Sequence, residues 1–477
     1  GCREYDFTAT SSATDPETLK AQYDFQSPND QQTDLFNGFI LEPGTIVRRY
    51  DELVDNNLDL SGKFVWDIFD SGASYAQLTT GVQFISRRRD ADSATYGFNV
   101  NQVRDDLLRT SNLLVSDVVY SCDDAAASIE CGSETERGIS NNANTGLVFV
   151  DKTLASDSYD AELEYNSAYA MYDHTFDSSW QVIFGARYET YQQITNTFSL
   201  QGEQGSVQSV IDEDSILPSV GVNWFVADTH QLRFALSQTV ARPDFKEAAN
   251  ATFYDNEFNV RVRGNHFLEI SNIINADLRW EWYLSEIDNL SVALFYKDMD
   301  KPIERVVQAA SGTAGNTRTF QNSDSAALYG VELDGRFEFI LGDGYDQTLF
   351  FAFNAAFIES EVSAENQEDR SLQGQPEYTA NLIFGYDHVS AGHQLTVLLN
   401  QNGKSIADVG VSGQPDVFLE PRLDLNIVYR FGISDSLTLK AKLENLLDDE
   451  IEYTQGGQVF QVYNRGPSIQ VGLDWQF

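Results

Sequence analysis

Apolar and polar residues alternate with a period of two along most of this chain, and that pattern limits its fold more than any other feature. The last residues, GPSIQVGLDWQF, set Ile469, Val471, Leu473, Trp475 and Phe477 against Ser468, Gln470, Gly472, Asp474 and Gln476. Successive side chains of a strand point to opposite faces, so this is a strand with one greasy side and one wet side. The alternation returns in WQVIFGARYETY, NADLRWEWYLS, ALYGVELDGRFEF and PRLDLNIVYRF, each with Trp, Tyr, Phe or Leu on one face and Arg, Asp or Glu on the other. Ten further segments behave alike: NNLDLSGKFVWDI, YAQLTTGVQFISRR, AELEYNSAYAMYD, LPSVGVNWFV, HQLRFALSQTV, NLSVALFYKDM, TLFFAFNAAFIESEV, YTANLIFGYDH, HQLTVLLNQNG and LTLKAKLENLLD. That makes fifteen clear strands, with a fainter one near TIVRRYDELV.

A strand of about ten residues is long enough, when tilted, to cross the hydrocarbon of a bilayer. The connections support that use. FDSGAS, DHTFDSS, VADTH, SEIDN, ILGDGYDQ, DHVSAGH and GISDS are brief and rich in Gly, Asp and Ser. Between them lie the long segments 87–158, 190–215, 241–271, 297–327, 359–378, 402–420 and 448–467. Short and long alternate throughout, as in an outer-membrane barrel with tight turns at one rim and long loops at the other. A soluble sandwich would show shorter, evenly spaced strands and no such segregation. The expected fold is therefore an all-β, transmembrane, antiparallel up-and-down β-barrel with its long loops outside. No run approaches the roughly 18 apolar residues of a membrane helix.

Composition narrows the function. The 73 acidic and 31 basic residues give a net charge of −42, the opposite of what a phosphate backbone attracts, so no nucleic-acid partner is expected. Abundant Phe and Tyr argue against disorder. Five scattered His and no HExxH or GxSxG motif give no catalytic constellation, so no enzyme, no cofactor and no metal site is expected. The acid runs at 212–214 and 365–369 and within CDDAAASIEC lack EF-hand spacing and read as solvated loop surface. Cys122 and Cys131 bracket a polar stretch in the first long loop and suit a disulfide in an oxidising compartment; Cys2 is unassigned.

The order and spacing of several segments resemble the C-terminal barrel of TonB-dependent outer-membrane receptors. These are GARYE, LPSVGVNW, SQTVARPDF, RGNHFLEIS, DLRWEWYLS, LSVALFYKDMDKPIE and KLENLLDDEIEY, followed by the aromatic final strand. The resemblance covers roughly residues 45–477, with 1–44 left as a loop or truncated start of barrel. It implies a barrel of 22 strands, of which about 16 are present, with the plug domain and the TonB box absent from this chain. It also makes Trp475 and Phe477 a barrel-assembly signal. The implied location is the bacterial outer membrane, and the implied activity is TonB-dependent uptake of a nutrient. The implied partners are the inner-membrane TonB complex (through the missing plug), the barrel-assembly machinery, outer-membrane lipid and lipopolysaccharide.

The motif style points to an oligosaccharide as ligand, with a ferric siderophore or a passive ungated pore as alternatives. For binding, the strongest segment is 241–271, where Arg242, Arg261 and Arg263 interleave with Phe245, Phe253 and Tyr254 beside Asp255 and Asn265. Aromatic faces stack on sugar rings and the polar groups reach hydroxyls, while the arginines equally suit an anionic chelate. The competing role for the aromatic residues is an interfacial girdle.

Overall fold

The computed structural model describes residues 47–100, 119–120, 147–151, 153–198, 207–255, 260–309, 316–342, 344, 346–364 and 369–476. The chain groups into two compact units, the smaller comprising 1–54, 91–158 and 198–204, the larger 55–90, 159–197 and 205–477. In the smaller unit, the far end of one long strand pairs antiparallel with Leu147–Asp151, which in turn runs parallel to Val119–Tyr120. The disulfide expected between Cys122 and Cys131, Phe477 and the 1–44 segment lie outside the described residues.

The main sheet is a fifteen-strand antiparallel meander, extended at one strand by those two short segments. Its strands in order are Val47–Asp70, Tyr75–Val100, Tyr159–Phe176, Trp180–Thr197, Val207–Ala227 and His230–Ala241. It continues through Ser271–Tyr283, Asn289–Asp300, Ser325–Ile340, Gln347–Ser363 and Tyr378–His388. His393–Asn402, Arg422–Ser434, Leu437–Glu444 and Ser468–Trp475 complete it. All fifteen alternating segments form these strands, and all seven short connections are their turns. The faint segment near TIVRRYDELV is not a sixteenth strand. It is the beginning of Val47–Asp70, since no Gly or Pro interrupts DELVDNN.

Strands are also longer than expected. Tyr75–Val100 has 26 residues and Val207–Ala227 has 21, so much of the expected loop 190–215 is strand, including the acid run 212–214. Asp212 and Asp214 accept hydrogen bonds from Gln192 (3.2 Å) and Tyr188 (2.9 Å) on the neighbouring strand.

Exposure runs opposite to that of a water-soluble sheet. Phe184, Ile216, Leu294, Phe357 and Phe384 are each half or more exposed, while Glu189, Gln193, Thr195 and Asn275 on the opposite face are buried. An apolar face this continuous needs a non-aqueous partner. At the turn rim the rings form a girdle: Trp180 stacks on Trp224 at 4.9 Å, and His174 on Phe176 at 3.7 Å.

Four of the long connections build a second, eight-stranded sheet, which the sequence pattern did not predict. Segment 241–271 contributes Thr252–Asp255 and Val260–Arg263, and 297–327 contributes Ile303–Ala309 and Asn316–Asn322. Segment 402–420 gives Ser405–Gly410 and Val417–Leu419, and 448–467 gives Ile451–Gln455 and Gln458–Tyr463. Two parallel pairings join different connections: Val262 lies opposite Arg318, and Val306 opposite Val409. Valines and aromatics pack one side (Val307, Val417, Tyr453) and aliphatics the other (Val306, Ile406, Val409).

Candidate ligand-binding site

Segment 241–271 begins with a single helical turn, Phe245–Ala248. Asp244 caps it, accepting from the Lys246 amide at 3.0 Å, while Glu247 accepts from the Asp244 amide at 2.9 Å. This is the reciprocal box that a DxxE sequence makes at a helix start. Burial pushes the Glu247 carboxyl above its ordinary value. The hairpin that follows returns against this turn at Gly264, where a Cβ would lie 1.9 Å from the Ala249 carbonyl oxygen. Only glycine allows that approach.

The structure divides the eight expected binding residues into two sets. Arg242 points into the polar face of the main sheet, 2.6 Å from Glu189 and with its guanidinium 4.5 Å from the Tyr191 ring centre. Phe245 is buried, with the guanidiniums of Arg87 and Arg89 each 5.2 Å from its ring centre. Asn265 staples the hairpin: its side chain donates to the Phe320 carbonyl at 2.9 Å and accepts from the Phe267 amide at 3.0 Å. Phe253 is covered by Lys246, whose Nζ is 4.3 Å from the ring centre, and Asp255 pairs with Arg318 at 3.5 Å.

The second set is solvent-facing. In the hairpin register Arg261 lies opposite Tyr254 and Arg263 opposite Thr252, so these four share one face. Arg261, Arg263 and Tyr254 are exposed there, and Arg263 is steadied by a 3.0 Å hydrogen bond to Asn250. In a chain of net charge −42, two arginines beside an exposed phenol make a local cationic surface.

Two charge clusters were not foreseen. On the polar face of the main sheet, Arg187 bonds Glu189 (2.7 Å), Ser167 (2.7 Å) and Gln83 (3.0 Å), and Arg87 and Arg89 share Asp55 at 2.5 and 2.6 Å. In the loop sheet, Asp408 receives Arg318 at 2.5 Å and also Arg305, while Glu304 receives Arg370 at 2.6 Å and the Ser323 hydroxyl. Burial raises the Glu304 carboxyl, but the Arg370 guanidinium and Ser323 outweigh it and hold the group below its ordinary value. The ion pairs of the loop sheet, Arg305 and Arg318 with Asp408 and Arg370 with Glu304, each join two different connections, so spacing in sequence carries no signal of the pairing.

Comparison with known proteins agrees with this architecture. The family model described as TonB dependent receptor-like, beta-barrel, matches residues 3–446. The iron-regulated outer membrane virulence protein of Vibrio cholerae is 25% identical over 226 residues, 45% of this chain and 32% of that protein. The siderophore receptor PiuA of Acinetobacter baumannii superposes with a TM-score of 0.55 at 13% identity, over 90% of this chain and 56% of its own. The ferric yersiniabactin uptake receptor FyuA of Yersinia pestis gives 0.51 at 13% identity, over 88% and 54%. The ferric-catecholate import receptor Fiu of E. coli K12 gives 0.53 at 12% identity, over 90% and 55%. The chain thus spans about a third of the curated relative and a little over half of these solved chains.

Proposed function

The chain belongs to the TonB-dependent receptor family, and from that premise we propose that it supplies the wall and outer binding surface for uptake of an anionic ferric chelate. It resides in the bacterial outer membrane, and its fold and family are those of receptors. The uptake reading carries with it energy from the inner-membrane TonB complex, delivered through a plug domain. The observation that carries the ligand class is the exposed Arg261–Arg263–Tyr254 face in an otherwise acidic molecule. Guanidiniums present paired N–H donors to anionic oxygens, and the phenol adds a stacking surface. An oligosaccharide would need open aromatic faces, whereas Phe245 is buried and Phe253 is covered. The iron-related names of the similar proteins point the same way.

The test is a titration of the folded chain with a highly anionic ferric tris-catecholate and with an uncharged ferric tris-hydroxamate. The expected result is tighter binding of the anion, weakened by salt and by about ten-fold in an Arg261→Gln/Arg263→Gln variant. Equal affinity for both chelates, or tighter binding of a neutral oligosaccharide that salt does not affect, would overturn the ligand class.

A further inference from the structure

Two of the five histidines, scattered in sequence, meet across the hairpin that joins Tyr378–His388 to His393–Asn402. His388 and His393 lie directly opposite each other beside the turn, with ring centres 6.4 Å apart. Each ring is held by an oxygen on one nitrogen. His388 Nε2 stands 3.4 Å from the Asp346 carboxylate, and His393 Nδ1 bonds the Tyr429 hydroxyl at 2.7 Å. Asp346 is itself fixed by the turn, since its carboxylate accepts from the Ser390 amide and hydroxyl, both at 2.9 Å. Phe431 stacks on the His393 ring at 4.6 Å. One nitrogen of each imidazole, His388 Nδ1 and His393 Nε2, is left without a protein partner among the described residues.

A histidine fixed by an oxygen on one ring nitrogen and open on the other is the form in which imidazole ligates metals. A ring centre stands about 3.2 Å from a metal that its nitrogen ligates, a bond of about 2.0 Å plus the ring radius. Rings 6.4 Å apart therefore span one ion when they bind it from opposite sides, as in tetragonal sites. A cavity of about 290 Å³ bounded by both rings, Gly392 and Gly432 gives room for the ion and several waters at about 30 Å³ each. Asp387 and Arg430 line it with opposite charges. We propose that His388 and His393 chelate one late divalent transition ion of the copper(II) or nickel(II) class, with water in its remaining positions. Imidazole selects these ions over magnesium and calcium, which take oxygen ligands. No group of three or more His, Cys, Asp or Glu converges as a metal site among the described residues, so Asp346 and Tyr429 are positioning residues. The chelate clips two strand ends together at the turn rim and does not depend on which nutrient the receptor takes.

The experiment titrates the full chain, folded in detergent with its cysteines alkylated, with copper(II) in excess magnesium, and records the electron paramagnetic resonance spectrum. The expected result is one copper(II) per chain with nitrogen hyperfine structure from two imidazoles. His388→Gln and His393→Gln, each checked for folding by migration on unheated gels, should each lose the two-imidazole pattern. Tyr429→Phe should keep the pattern and weaken binding by about ten-fold, because the outer partner of a ligating histidine contributes that much. His230→Gln, at a different turn, should change neither reading. Absence of bound copper, a single-imidazole spectrum in the unaltered chain, or an unchanged spectrum in either histidine variant would overturn the proposal. Displacement of the copper by magnesium would overturn it as well, in favour of an oxygen-ligand site elsewhere.

Discussion

Glu304 shows how much one side chain can hold in the loop sheet. Its carboxylate is almost fully buried and receives Arg370, Ser323 and the Gln373 amide, the last at 3.2 Å. Removing one member of such a pair leaves the other charge buried and uncompensated, so Glu304→Ala should destabilise the loop sheet by about 3–5 kcal/mol. Hydrogen exchange across 303–309 and 316–322 should rise steeply while the strands of the main sheet change little; uniform exchange across both would show that the pair carries no such energy. The same group sets a pH dependence. Its folded value lies below the ordinary 4.5, so its contribution is present above that value and is lost as pH falls through the depressed one. Pepsin cleavage of the loop sheet should therefore begin at a lower pH than an ordinary glutamate would dictate, and in Glu304→Gln this acid-induced onset should disappear.

At the scale of elements, glycines let the main sheet bring aromatic rings across neighbouring strands. A Cβ on Gly385 would lie 1.9 Å from the Phe350 ring, which covers it from the adjacent strand. Gly385→Ala should cost about 1–3 kcal/mol as an overpacked contact, and Phe350→Ala in the same chain should recover part of that loss. Urea unfolding of the two single variants and the double variant measures the coupling; strict additivity would mean that the ring moves aside freely. The strands themselves were legible because period-two alternation is local, and the seven turns because Gly, Asp and Ser mark them. Strand ends were not, because Val207–Asp214 continues past the membrane on hydrogen bonds to its neighbour rather than on apolar alternation. The loop sheet was hidden for a related reason: Val262 against Arg318 and Val306 against Val409 join residues far apart in sequence. Arg242, Phe245 and Asn265 attracted notice by residue type, yet type alone does not reveal that Glu189, Arg87 and Phe320 already engage them.

For the whole molecule, the apolar band predicts a dependence on depth. Phe184 stands four residues from the start of its strand, about 13 Å along it and roughly 10 Å into the bilayer, whereas Tyr188 is near the outer interface. Phe184→Arg should cost about 2–4 kcal/mol and Tyr188→Arg about 0–1 kcal/mol, read from folding into lipid vesicles under urea. Equal costs would mean that this face does not meet hydrocarbon. The loop sheet bears on how such a surface can diversify. An ordinary surface loop absorbs an extra residue with little consequence, but Ile303–Ala309 is paired on both sides, and one inserted residue would move Val306 off the face it shares with Ile406 and Val409 and put Arg305 in its place. Variation here must proceed by replacing exposed residues in place, so new ligands would be acquired through chemistry at fixed positions rather than through changes in length.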